Sequence, residues 1–186
     1  MHSVLIVAGL AFGLAMDAFA VAIAVGAALG RPTSRQFFRL AFHFGLFQFM
    51  MPVIGWFAAE GASAVLARVD HWVALGLLSF IGGKMIVEAL RGDHEQVRGD
   101  PTRGASLVML SVATSIDALA VGLSLKAAGV TLWFPCVAIG VCAASMTFMG
   151  MKLGRRGASR LGQRAEVAGG IVLILIGIRI AIDHLI

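Results

Sequence analysis

The sequence predicts an all-α integral membrane protein of six transmembrane helices, arranged as two inverted three-helix repeats. Three observations carry that expectation. First, 59% of the 186 residues are hydrophobic and 13% are charged, about half the charged share of a soluble globular domain; mean hydropathy is +0.92. Second, six apolar runs are each long enough to cross a hydrocarbon core of about 30 Å, which takes about 20 residues of helix. Third, one aspartate-bearing stretch occurs twice: MDAFAVAIAVGA at 16–27 and IDALAVGLSLKA at 116–127 align at an offset of one hundred, with Asp17 over Asp117.

The six runs fall at roughly 3–29, 37–58, 71–90, 104–128, 131–151 and 166–185. Gly30-Arg31-Pro32 ends the first, because proline disfavours a helical residue before it. Glu60-Gly61 and Arg68 to Asp70 separate the second from the third, and RGDHEQVRGDPTR at 91–103 separates the third from the fourth. A tight Ala128-Gly129-Val130 turn and the basic segment KLGRRGASRLGQR at 152–164 make the last two links. A cleaved signal peptide is the alternative for the first run. No basic segment precedes the run, which continues to Leu29, and the motif recurs mid-chain, so the run is read as a membrane span.

Basic residues set the expected topology. The first, third and fifth links hold eleven Lys and Arg residues, whereas the second and fourth hold only Arg68 and Lys126. Odd links therefore face the cytoplasm and both termini face outward. A net charge of +5 in this arrangement orients the chain in the lipid bilayer and does not point to nucleic acid. Three spans per repeat is an odd number, so the copies cross in opposite directions. The expected units are 1–90, a cytoplasmic linker at 91–103, and an inverted second unit at 104–186. Gly45-x9-Gly55 mirrors Gly140-x9-Gly150, and IGGKMIVE at 81–88 mirrors IGIRIAID at 176–183. Inverted repeats with a midplane site are a recurring transporter plan.

A mid-span Asp costs about 2.5–3.5 kcal/mol on insertion scales, so Asp17 and Asp117 are expected to face a polar cavity rather than lipid. Each lies on a stripe of small residues: Gly13, Asp17, Ala20 and Ala24 in the first span, and Ala113, Asp117, Ala120 and Ser124 in the fourth. Small faces let helix backbones approach, which brings the acids toward one site. Two carboxylates in low dielectric require a proton or a cation, and oxygen donors favour Mg, Ca or Mn over Zn or Cu. Further oxygens are at hand in Thr114, Ser115 and Gln48. Pro52 lacks an N–H, which frees the Gln48 carbonyl four residues earlier; unwinding of the second span there would add a main-chain ligand. The bland alternatives are protonated, hydrogen-bonded aspartates and a packing proline. Met16, Met50 and Met51 are read as gap fillers. Cys136 and Cys142, six apart in one span, are read as core residues rather than a disulfide or metal pair.

Four residues are candidates for a gate or proton path. Histidine can relay protons, which makes His43 a candidate, although a hydrogen-bonded structural histidine is the simpler reading. Lys84 and Glu88 share a helix face at i and i+4, and Arg179 and Asp183 take the mirrored place. Ser124 lies two turns beyond Asp117. No HExxH or other catalytic motif is present, so no enzymatic activity and no fixed cofactor are expected.

At MDAFAVAI (16–23), FGLFQFMMPVIGW (44–56), GGKMIVE (82–88) and ATSIDALAVG (113–122) the chain resembles the MntP-type manganese efflux pumps, small exporters of the bacterial inner membrane. The resemblance covers nearly the whole chain. It implies export of Mn(II) as a transported substrate, with Asp17 and Asp117 as central positions. Where the family often has serine before the first Met-Asp, this chain has Ala15. Manganese, as opposed to magnesium or calcium, is implied by the resemblance alone. The expected mechanism is alternating access with inward proton movement. The rivals are an exporter of another divalent cation or of a small cationic solute, an intramembrane enzyme, and a scaffold subunit.

Overall fold

The computed structural model describes residues 2–59, 100–127 and 129–161, together with 76, 79, 80, 83, 86, 87, 167, 171, 172, 174–176, 178 and 182. Every regular element among these residues is helical: α1 (His2–Leu29), α2 (Ser34–Ala58), α3 (Gly104–Ala113), α4 (Ile116–Ala127) and α5 (Trp133–Leu161). The described residues of the expected third and sixth spans are helical as well. Lys84, Glu88, Arg179 and Asp183 lie outside the described residues.

Three segments are long and apolar enough to cross a membrane, Val7–Leu29, Ser34–Ala58 and Trp133–Gly157, and α3 with α4 makes a fourth if the bent pair is one span. Helix is the natural solution in lipid, since it satisfies backbone groups within the segment. Phe12, Phe38, Phe57, Val141 and Met149 are exposed, as side chains solvated by acyl chains would be. The chain is a multi-pass membrane protein.

Local chemistry sets the boundaries. α1 stops where Gly30 takes φ +60°, a left-handed value that costs glycine little. Arg31-Pro32 then turns the chain, and Thr33 opens α2 with a capping box. The Gln36 backbone N–H donates to Thr33 Oγ1 at 3.4 Å, and the Thr33 N–H donates to Gln36 Oε1 at 2.7 Å. At the same end of the bundle, Asp100 accepts from the Thr102 N–H (2.9 Å) and hydroxyl (2.6 Å). Arg39 of α2 faces the same carboxylate at 3.9 Å, which ties the approach to α3 onto α2.

The fourth span departs from expectation. It is not one straight helix: α3 and α4 meet at 42° across Thr114-Ser115. The hydroxyls of Ser111, Thr114 and Ser115 donate to the carbonyls of Leu107 (2.8 Å), Leu110 (2.9 Å) and Ser111 (2.6 Å). Such back-bonding competes with the helical ladder and bends helices. Conversely, α2 remains helical through Pro52, so the backbone break lies in the fourth span rather than at the proline.

α5 packs along α1 and α2, and α2 also packs on α3 and α4. The core holds Ala18, Val21, Ala22 and Val25 of α1, Leu40 and Phe44 of α2, Leu107 and Leu110 of α3, and Met151 of α5. Glycines carry the closest approaches. α2 and α5 run antiparallel, with Gly45 against Gly140: a Cβ on either would come within 2.9 Å of the other's carbonyl oxygen. A Cβ on Gly55 would strike the Leu119 carbonyl of α4, and one on Gly150 would meet the Phe19 carbonyl of α1 at 2.6 Å. Phe19 and Leu119 are one hundred residues apart, as are Asp17 and Asp117.

Candidate cation site

Gln48 is the side chain around which the polar interior is built. It lies on the inner face of α2, fully buried with Phe44 and Pro52 on either side of it along the helix. Its amide nitrogen donates to the Thr114 carbonyl at 2.6 Å and reaches the Leu14 carbonyl at 3.5 Å. The two carbonyl oxygens are therefore no further apart than those two distances laid end to end. Leu14 precedes Asp17 by three residues and Thr114 precedes Asp117 by three, so one amide contacts both aspartate-bearing segments one turn before their acids.

Both amide protons point to backbone oxygens, which leaves Gln48 Oε1 buried with no hydrogen-bond donor among the described residues. A primary amide oxygen has two acceptor sites, and a buried acceptor without a partner is uncommon. A cation is one group that such an oxygen can accept.

Asp17 lies within unbroken α1 and is half-buried. Asp117 is also half-buried, in the first turn of α4, where its Oδ1 accepts from the Ala118 N–H at 2.8 Å. The break at Thr114-Ser115 thus gives Asp117 a helix start, where acidic groups are favoured by the helix dipole, whereas Asp17 has a continuous helix around it. Thr114 is buried at 2% exposure and Ser115 is fully buried. Their hydroxyl protons are committed to α3 carbonyls, so each Oγ could act toward a cation only as an acceptor.

Two further expected residues, His43 and Ser124, make local contacts within their own helices. His43 is half-buried and its Nδ1 is 2.8 Å from the Arg39 carbonyl, so that nitrogen carries the proton and donates within α2. Phe42 stands edge-on to the ring at 5.6 Å. Ser124 is exposed and donates to the Ala120 carbonyl at 3.1 Å. Cys136 is fully buried, Cys142 is half-buried, and both are free thiols.

Two features were not singled out from the sequence. The Leu14 carbonyl is one, and no residue type marks a functional backbone oxygen. Thr147 of α5 is the other. It is fully buried with an unpartnered hydroxyl, although Ser111, Thr114, Ser115, Ser124 and Ser145 all donate to the carbonyl four residues back. Its signal was a hydroxyl residue within an apolar run. Among the described residues no three His, Cys, Asp or Glu side chains converge. Any ion held here would draw on amide, hydroxyl and carbonyl oxygens beside the two acids, a donor set that suits hard divalent cations.

Comparison with known proteins places the chain in a family. Residues 31–181 match the family model described as "Putative manganese efflux pump". The protein of that name, MntP, from Syntrophotalea carbinolica is 58% identical over 177 residues, covering 95% of this chain and 94% of its own length. Its namesake from Geobacter sp. (strain M21) is 49% identical over 97% of this chain and 96% of its own. That from Nitratidesulfovibrio vulgaris (strain DP4) is 53% identical over 94% and 88%. No solved structure matches the chain significantly. With the family model spanning most of the chain and these relatives aligned nearly end to end, the chain belongs to the MntP manganese efflux pump family.

Proposed function

We propose that this protein exports Mn(II) across the bacterial inner membrane, holding the ion between Asp17 and Asp117 with Gln48 Oε1 as a third ligand. The observation that carries the reading is the Gln48 amide. It reaches the carbonyls of Leu14 and Thr114, which occupy equivalent places in the two aspartate-bearing stretches, and it leaves an unpartnered oxygen in the interior. Two carboxylates offset the charge of a divalent ion, and the neutral amide adds a ligand without adding charge. Thr114 and Ser115 oxygens complete the candidate set. The printed names of the relatives supply manganese as the substrate.

An inverted repeat of three helices plus three, with units 1–90 and 104–186, is part of the proposal. The close glycine contacts support it, because they come in exchanged pairs. Gly45 and Gly140 approach each other reciprocally, while Gly55 on Leu119 has its counterpart in Gly150 on Phe19. Both termini outside, by the charge rule, and alternating access follow from the same plan. Proton antiport is the proposed driving force: the carboxylates exchange Mn(II) for protons at the outer face. His43, Lys84, Glu88 and Ser124 are the proposed gate or proton-path positions.

The test is manganese content and manganese tolerance of cells carrying wild type, Asp17→Asn or Asp117→Asn at matched membrane abundance. Each variant is expected to accumulate Mn(II) and grow poorly in it. Equal tolerance in all three would remove the aspartates from the site. For the driving force, vesicle transport at zero metal gradient should occur only with a pH gradient imposed.

A further inference from the structure

Beyond the metal site, we propose that the groove between α2 and α5 binds one anionic phospholipid, with its acyl chain on a phenylalanine wall and its headgroup on Lys152 and Arg155. The groove has a volume of about 590 Å³, within the range of about 300–1,000 Å³ usual for small-molecule sites. Phe37 and Phe148 form its floor, with ring centroids 5.2 Å apart. Phe38 and Phe42, stacked at 5.6 Å, form one side, and Phe38 is 68% exposed. Phe42 and Phe148 lie two turns or more inside the membrane segments Ser34–Ala58 and Trp133–Gly157, and Phe37 and Phe38 stand about one turn from the start of α2, so the aromatic wall runs from the interface into the acyl-chain region.

The polar members of the lining are grouped at one end. Ser34 opens α2, and Lys152 and Arg155 lie near the close of the antiparallel α5. The apolar part therefore lies toward the membrane interior and the cations toward its surface, as in a lipid. Neither Lys152 nor Arg155 has an acidic partner among the described residues, so the groove presents net positive charge. Basic pockets between transmembrane helices bind anionic headgroups, and long basic side chains extend to the headgroup layer. A soluble anion would use the cations and leave the aromatic wall unoccupied. A zwitterionic lipid would fill the wall and leave the positive charge uncompensated.

The test is native mass spectrometry of the delipidated full-length protein, titrated with phosphatidylglycerol or with phosphatidylcholine of the same acyl chains. Wild type should prefer phosphatidylglycerol by about thirtyfold, the factor that about 1 kcal/mol for each of two basic residues gives. Lys152→Gln with Arg155→Gln should abolish most of that preference. Both side chains are exposed, so folding should survive. Ala41→Phe, which fills the groove, should weaken both lipids. Equal binding of the two lipids by wild type, or a preference that survives the double substitution, would overturn the proposal. So would displacement of phosphatidylglycerol by millimolar inorganic phosphate, which would mean an anion site, or a dimer that Ala41→Phe dissociates without changing lipid retention, which would mean that a second copy fills the groove.

Discussion

Replacing Gln48 by methionine tests the center of the site while keeping the side chain long and unbranched. The variant loses the amide nitrogen and the amide oxygen together. On the nitrogen side, the Thr114 carbonyl loses a 2.6 Å hydrogen bond and the Leu14 carbonyl a marginal 3.5 Å one. An orphaned buried polar group costs about 1–3 kcal/mol in soluble proteins, and interhelical hydrogen bonds in membranes average about 0.6 kcal/mol with a ceiling near 1.7. The 2.6 Å bond is short and deeply buried, so a loss of about 1–2 kcal/mol is expected. On the oxygen side, no stability is lost, because Oε1 has no donor to lose among the described residues; what is lost is the proposed ligand. The two effects separate in thermal unfolding of purified protein in detergent with and without Mn(II). Wild type should gain about 2.7 kcal/mol at a metal concentration one hundred times the dissociation constant. The variant should begin lower and gain much less. Gln48→Glu keeps an oxygen but sets a second one against two carbonyls, so it should lose the stability while regaining part of the metal response. A methionine variant with both the wild-type midpoint and the wild-type Mn(II) shift would refute the assignment of Gln48.

Gly55→Ala places a methyl group against the Leu119 carbonyl and should lower stability by about 1–3 kcal/mol through overpacking, read by the same unfolding assay; Gly13→Ala, which meets no atom within 4 Å among the described residues, is the control. Thr33→Ala removes the α2 cap and should cost about 1 kcal/mol, with Mn(II) tolerance of cells unchanged. Thr147→Val removes a buried hydroxyl that has no partner, so stability should hold or rise by about 1 kcal/mol. A clear loss of stability would show that the hydroxyl has a bonding role.

Much of the fold is legible because a bilayer demands long apolar helices. The runs at 3–29, 37–58 and 131–151 correspond to α1, α2 and α5, apart from α5 continuing to Leu161. The break in the fourth span is not legible from apolarity, since Ala113-Thr114-Ser115 reads as a mild interruption. Three hydroxyls bonding back to carbonyls within one turn produce it. Proline drew attention to the wrong span. Pro52 does lack a donor, yet its carbonyl packs directly on Gly122 of α4, and α2 stays helical through it. In the site, Gln48 is recognisable as the polar side chain of an apolar stretch. Its engagement of Leu14 and Thr114 is not, because every residue has a carbonyl and only packing selects which two are used.

The position of Gln48 bears on how such a chain could have arisen. Carrying the match of Gly45 with Gly140 three residues further pairs Gln48 with Ala143, which is fully buried. If the halves descend from one duplicated gene, a residue lying between two equivalent carbonyls has room for only one copy. A dimer of identical ancestral halves would have brought two glutamines, or none, to that place. On that reading, fusion into a single chain would let one half keep the amide while the other shrinks to alanine, and the proposed central ligand would be a trait open only to halves free to diverge.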